Sequence, residues 1–356
     1  MPKGKLFIAD IHLGAKLYNI PELAKDNEIM LLAAFDKAVE LKADLVIAGD
    51  LYDTQNPSEE LVSFVSRLRD DYLDGANCLA ISGDHDKRPG VNTTWVGDVN
   101  GFASSGGGVL GIHYKNFLNV ADVLKNTDTA DVEFLVLHGQ DENMFKFVEE
   151  KKRLNLKAID ITKLPKLKAI VLGDIHKPME GVIAFPEHKR EIPVYYCGSL
   201  GVIKSDEIGT KTGLMYWDGV KFSRIPFPHH RTYAKFNLPD DAHLLPTFIK
   251  QVAKEKYKPL VVVSYPDDLD KEHIDTLKQL EKIVILRRSK SAKLVDDEEV
   301  INIRSELKTE DKISAVIDVL FKDDETLKNV FTDLLNSVDP KGVLDAYKEK
   351  MLEPTK

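Results

Sequence analysis

The sequence is poor in cysteine, with two in 356 residues. That number cannot build a disulfide framework, so the chain reads as one of a reducing, cytoplasmic compartment. Cys78 and Cys197 both sit in apolar surroundings and read as small core residues. No apolar run approaches the ~18 residues of a membrane-spanning helix. The short apolar stretch near the N-terminus ends at Asp10, so no secretory leader is expected. Internal repeats and low-complexity segments are also lacking. Basic charge is in deficit: 49 Lys and Arg stand against 58 Asp and Glu, for a net charge of -9. This excludes a generally basic nucleic-acid binder, whose affinity rests on many phosphate contacts. It does not exclude a nuclease that meets phosphate through metal ions and a local basic patch.

What is present is an ordinary globular composition, 43% hydrophobic and 30% charged, long enough for two or three domains. The first ~200 residues alternate β-branched runs with amphipathic segments, the pattern of an α/β layered domain. Lys5–Ala9, Asp44–Ala48, Cys78–Ser82, Val132–Leu137 and Ala169–Leu172 read as buried strands. Pro21–Leu41 reads as a helix with an apolar face of Leu23, Ile29, Leu32, Ala33, Phe35, Ala38 and Val39. Pro57–Leu73 reads as a second helix, with proline near its first turn. Val194–Tyr196, Gly213–Trp217 and Lys221–Ile225 predict closing antiparallel strands, the last two joined by a hairpin at Asp218-Gly219. After Pro226-Phe227-Pro228 a small α/β domain is expected at about 231–292. Beyond it, three short apolar stripes predict helices in 297–356: Ile313, Val316, Ile317 and Leu320; Leu327, Val330, Phe331 and Leu334; Val343, Leu344 and Tyr347. Periodicity alone leaves open whether these pack on one another or dock on a partner.

The chemistry-bearing residues fall where predicted strands end and turn. They are Asp10-Ile11-His12, Gly49-Asp50-Leu51-Tyr52-Asp53, Gly83-Asp84-His85-Asp86, His138-Gly139 and Gly173-Asp174-Ile175-His176. The carboxyl ends of strands are where open α/β folds bind ligands. Each segment alone has a bland reading as a turn or a core histidine. Five in order, supplying only carboxylates and imidazoles, predict a divalent metal site, because such groups buried without a cation are costly.

The order DxH, GDxxD, GxHD, H, GxxH resembles the calcineurin-like metallophosphoesterases, an α/β fold with a β-sandwich flanked by helices. The segments ADIHLG, GDLYDT followed by proline, VYYCGSLG and the terminal Val338-Asp339-Pro340-Lys341-Gly342-Val343-Leu344 are similar to the SbcD nuclease family. That resemblance implies a two-metal DNA nuclease, a 3′-to-5′ exonuclease on duplex and an endonuclease on single strands. It implies action as a homodimer within a heterotetramer, partnered by an SbcC-like ABC ATPase with a coiled coil. The expected domains are 1–228 for the nuclease, 231–292 for a DNA-selecting cap and 297–356 for ATPase binding.

Mapped by motif, the resemblance implies one metal on Asp10, His12, Asp50 and His176. A second would share Asp50 and add Asp84, His138 and Asp174, with the ions about 3.5–4 Å apart. His85 is the implied general acid, with the Asp53 carboxylate receiving its other ring N–H. The family usually has Asn at the place of Asp84 and His at the place of Asp174. Two carboxylates there make a harder site, favouring Mn2+, with Mg2+ as the alternative. Lys16, Lys87, Arg88 and Lys177 each follow a metal motif and are candidate phosphate contacts; solvated loop charges are the competing reading. Ser199 is expected in an active-site loop, not as a nucleophile. Trp95 and His113 read as packing residues, and His229-His230 as part of a linker. Two rival functions stand beside the nuclease: a metallophosphodiesterase of small substrates, and a weakly active scaffold that binds DNA ends.

Overall fold

The computed structural model describes residues 4–72, 78–86, 98–99, 103–114, 120–145, 147–210, 212–227, 229, 231–266 and 269–290. Lys87, Arg88, Trp95, His230 and the expected helices of 297–356 lie outside the described residues. Two compact units are present, Met1–Val263 with Leu269–Arg287, and Ser264–Asp268 with Arg288–Lys356. The first holds almost everything described.

In chain order the larger elements are β1 (Lys5–Ile8), α1 (Pro21–Leu41), β2 (Asp44–Ala48), α2 (Glu59–Tyr72) and β3 (Cys78–Ile81). Next come β4 (Asp98–Val99), β5 (Ala103–Gly106), β6 (Val109–Ile112), α3 (Val120–Asn126) and β7 (Phe134–His138). After the short β8 (Gln140–Asp141) and β9 (Arg153–Leu154) follow β10 (Ala169–Gly173), β11 (Met179–Phe185) and β12 (Arg190–Tyr196). The chain continues with β13 (Gly213–Trp217), β14 (Phe222–Pro226), β15 (Tyr233–Asn237), α4 (Leu245–Val252), β16 (Leu260–Tyr265), α5 (Lys271–Glu281) and β17 (Ile285–Lys290).

One sheet has the order β14-β13-β1-β2-β3, and another β11-β12-β10-β7-β6-β5-β4. The buried strands β1, β2 and β3 run parallel, as their continuous apolar runs predict. The antiparallel closure expected of Gly213–Trp217 and Lys221–Ile225 is present, β13 pairing with β1 and β14 with β13, whereas Val194–Tyr196 lies in β12, antiparallel to β11 but parallel to β10. The Asp218 carboxylate accepts from the backbone N–H of Val220 and of Lys221, and Gly219 takes φ +101°, so the hairpin forms where the sequence predicts it. The period-2 alternation of side chains sorts the core into layers. Phe7, Val46, Leu79, Phe134, Val136 and Val171 share the layer between the two sheets. Leu6, Ile8, Leu45 and Ile47 turn the other way, onto Leu31, Ala34 and Phe35 of α1. This is the sandwich flanked by helices that the family resemblance implies. Among the described residues, no helix is long and apolar enough to cross a membrane.

The buried face of α1 differs from its apolar stripe. Leu23, Phe35 and Ala38 are buried as expected, but Ile29, Leu32 and Ala33 are only half-buried and Val39 is exposed. Asp26 and Asn27 are buried instead. Each has a partner that polar patterning cannot reveal. Asp26 binds Arg231 and Tyr233, while Asn27 donates to the carbonyl of His12 at 3.2 Å. A smaller sheet, β15-β16-β17, lies within the expected 231–292 segment. Its Leu260 is in one apolar cluster with Leu17, Ile20, Leu23 and Val202.

Candidate metal centre

The strand ends of both sheets converge. Asp10 follows β1, Asp50 follows β2, Asp84 follows β3, His138 ends β7 and Asp174 follows β10. Backbone bonds tie these turns together: the N–H groups of Ile11 and His12 both donate to the Asp50 carbonyl, at 2.9 Å each. The Asp174 N–H donates to the Asp10 carboxylate at 3.0 Å. Asp10, His12, Asp50 and Asp174 all adopt positive φ, at 50°, 48°, 50° and 83°. Side chains rarely take that region, and such strain concentrates at functional sites. Gly83 is required by close approach: a Cβ there would lie 2.0 Å from Asp50 Oδ1.

The side chains form two linked clusters. Asp10, His12 and His176 present ligand atoms within 4.8 Å of one another, and so do Asp84, His138 and Asp174. Asp50 joins them: its Oδ2 lies 3.5 Å from His12 Nε2 and 3.3 Å from His138 Nε2. The seven residues expected from the motifs are therefore brought together, and Asp10, Asp50 and His138 also present ligand atoms within 4.8 Å of one another, across the two clusters.

Three imidazoles are oriented alike. His12 Nδ1 lies 3.2 Å from Asp53 Oδ1, His138 Nδ1 lies 2.9 Å from the Ala48 carbonyl, and His176 Nδ1 is in contact with Glu207 Oε1. With Nδ1–H donated outward, each Nε2 is left to point into the cluster, the usual preparation of a metal-binding histidine. His12 Nε2, His138 Nε2 and Asp84 Oδ1 are buried and have no hydrogen-bond partner. Buried polar atoms are seldom orphaned, and these three face the two clusters. An oxygen- and imidazole-rich donor set with such orphans fits divalent ions.

The electrostatics agree. Burial opposes a charged His138, yet the carboxylates of Asp50, Asp84 and Asp10 prevail and raise its pKa. Burial likewise opposes a charged His176, and Glu207 and Asp10 raise it. Burial raises Asp10. Asp50 is also buried, but His138 and His12 hold it well below the usual carboxylate range. The centre thus retains protons where a cation is wanted.

His85 stands apart. Its Nδ1 donates to the backbone carbonyl of Asp53 at 2.7 Å, and its side chain is 41% exposed. Its ring packs edge-on against His12, with centroids 4.7 Å apart. The expected bond from His85 to the Asp53 carboxylate is not formed, because that oxygen is 4.0 Å away. The cause is local pairing: Asp53 N–H donates to the Leu13 carbonyl, and the loop so aligned turns the carboxylate toward His12.

Lys16 and Lys177 are exposed, four residues beyond His12 and next to His176. The Ser199 N–H donates to the His176 carbonyl at 2.9 Å, in keeping with a loop at the site. Buried His113 accepts from the Ser82 N–H at 3.0 Å. Sequence reasoning missed four supporting residues. Asp86 accepts from the N–H groups of Leu51, Tyr52 and Gly83, while burial and the Asp50 charge push its carboxyl up to about 6. Gln140 donates to Asp174 Oδ2 at 2.6 Å. Lys152 contacts Asp174 Oδ1 and lies 3.3 Å from Asp84 Oδ2. Glu207, noted above, is the fourth. Only Asp86 sat within a motif; the others carry no local signal.

The family model for calcineurin-like phosphoesterases matches residues 6–183, half of the chain. The chain belongs to the calcineurin-like phosphoesterases. Membership of this family implies metal-dependent hydrolysis of phosphoesters, and the paired Asp and His clusters are where divalent ions would be held. A relative of this calcineurin-like phosphoesterase is the DNA double-strand break repair protein Mre11 of Archaeoglobus fulgidus. It is 39% identical over 85 residues, 22% of this chain and 18% of that protein. The matched part is thus less than a fifth of the relative's length.

Proposed function

We propose that this phosphoesterase is a two-metal DNA nuclease acting in DNA break processing. The observation that carries the reading is the pair of clusters joined through Asp50 Oδ2, with half-exposed His85 beside them. The partial likeness to a break-repair protein supports DNA as the substrate. One ion would be held by Asp10, His12, Asp50 and His176, the other by Asp50, Asp84, His138 and Asp174. Manganese suits the oxygen-rich second set. Bound at these residues, divalent ions would supply Lewis acidity toward a phosphodiester and a nucleophile at neutral pH.

The remaining work falls to the chain. His85 presents Nε2 to the substrate side and gives a proton to the leaving oxygen. The Asp53 carbonyl, by accepting from Nδ1, fixes the ring's orientation for that transfer. The Asp53 carboxylate and Glu207 hold His12 and His176 with Nε2 inward. Lys16 and Lys177, with Lys87 and Arg88, are assigned to backbone phosphates. Residues 231–292 are the proposed DNA-selecting cap. Residues 297–356 are proposed to dock an ABC-type coiled-coil ATPase, and the nuclease to work as a homodimer with 3′-to-5′ exonuclease and single-strand endonuclease activity.

The test is cleavage of end-labelled duplex and single-stranded DNA with Mn2+, against Mg2+, EDTA and a small phosphodiester. Cleavage of DNA that needs metal and is lost in His85→Ala supports the reading. Hydrolysis of the small diester with DNA left intact would replace it by a small-substrate enzyme. Two bound metals with no hydrolysis of either would favour a partner-gated or scaffold subunit.

A further inference from the structure

The two clusters differ in one respect: the second contains a cation of its own. Lys152 reaches in from the turn Glu150–Lys152, its ammonium touching Asp174 Oδ1 and lying 3.3 Å from Asp84 Oδ2. Gln140 engages the other oxygen of Asp174 at 2.6 Å. Both oxygens of Asp174 and one of Asp84 therefore already have side-chain partners. The first cluster has no such occupant: among the described residues, no Lys or Arg pairs with Asp10 or Asp50.

An ammonium and a divalent ion compete for the same carboxylate oxygens, since each compensates the same buried negative charge. The Lys152 side chain is 18% exposed, and its four-carbon stem is flexible, so the ammonium has a way out to water. We infer that Lys152 is an internal competitor for the second metal site, making the two sites unequal. The cluster of Asp10, His12 and His176 fills first. The cluster of Asp84, His138 and Asp174 fills second and more weakly, because its ion must displace the ammonium from Asp84 and Asp174. Lys152 is thus a positioning residue that sets the metal requirement of the centre. This inference rests on the metal-binding reading above.

The test is calorimetric titration of the metal-free full chain with Mn2+ at fixed pH, for wild type, Lys152→Met and Lys152→Arg. Wild type is expected to show two unequal sites. Lys152→Met should tighten the weaker site about tenfold or more and leave the stronger one nearly unchanged. Lys152→Arg, which keeps the charge, should stay unequal. If Lys152→Met unfolds, Lys152→Gln must give the same tightening. Electron paramagnetic resonance of wild type provides an independent reading: uncoupled Mn2+ at one equivalent, spin-coupled pairs only above it. Two equal wild-type sites, or a second site unchanged or weakened in the uncharged variants, would overturn the inference while sparing the metal centre. No binding in any variant would overturn both.

Discussion

The carboxylate of Asp53 lies 3.2 Å from His12 Nδ1, while the carbonyl of the same residue accepts from His85. One residue thus orients two imidazoles, through two different groups. Substitution separates them. Asp53→Ala removes the carboxylate but keeps the carbonyl. It should weaken metal binding about 10- to 100-fold, as loss of a ligand's outer hydrogen bond does, and excess Mn2+ should largely restore turnover. Metal titration followed by activity at saturating metal checks both halves.

His85→Ala should behave in the opposite way. Removing a general acid costs about 100- to 10,000-fold in the rate. Metal content, read by elemental analysis, should match wild type, because the role proposed for His85 is proton transfer, while the ions are assigned to Asp10, His12, Asp50, Asp84, His138, Asp174 and His176. Loss of metal along with activity would reassign His85 to the ligand set.

Without metal, stability should fall as pH rises. Asp10, Asp86, His138 and His176 all have folded pKa values above their ordinary ones. For each, the folded chain binds more protons than the unfolded chain, so stability is lost as pH climbs through the raised value. Asp50, Asp84 and Glu207 are depressed and act in the opposite sense, but below the ordinary carboxylate range. The melting temperature of chelator-treated protein should therefore fall as pH rises, through about 6 for Asp86 and above the ordinary histidine value of about 6.5 for His138 and His176. Mn2+ should flatten that slope, because the ion replaces the retained protons.

Arg231 makes a buried two-point pair with Asp26, at 2.6 and 2.9 Å, and Tyr233 donates to the same carboxylate at 2.6 Å. Arg231→Met strips a buried charge of its partner. The expected loss is about 3–5 kcal/mol, measured by urea unfolding. A loss below ~1 kcal/mol would mean that water reaches Asp26 and screens it.

Gly83→Ala should abolish metal binding without unfolding the chain. The added methyl would sit 2.0 Å from Asp50 Oδ1 and 2.5 Å from the Asp50 backbone nitrogen. Asp50 is shared by both clusters, so both should be lost together. Retention of one metal would show that only one of the two clusters depends on the Asp50–Gly83 approach.

The sequence by itself determined the framework. Strand runs such as Asp44–Ala48 and Gly213–Trp217 coincide with the observed elements, because a continuous apolar run or a turn pair such as Asp218-Gly219 is a local signal. The seven clustered Asp and His residues were legible for the same reason: each sits where a strand ends. Only the tertiary structure decided their partners. Asp26 and Arg231 are 205 residues apart, His176 and Glu207 are 31 apart, and Lys152 and Asp174 are 22 apart. No periodicity links such pairs. Polar residues on a helix face or in a charge run read as solvated until folding shows what they face. That is why the buried side of α1, the reassignment of Asp53 to His12 and the ammonium in the second cluster appear only in three dimensions.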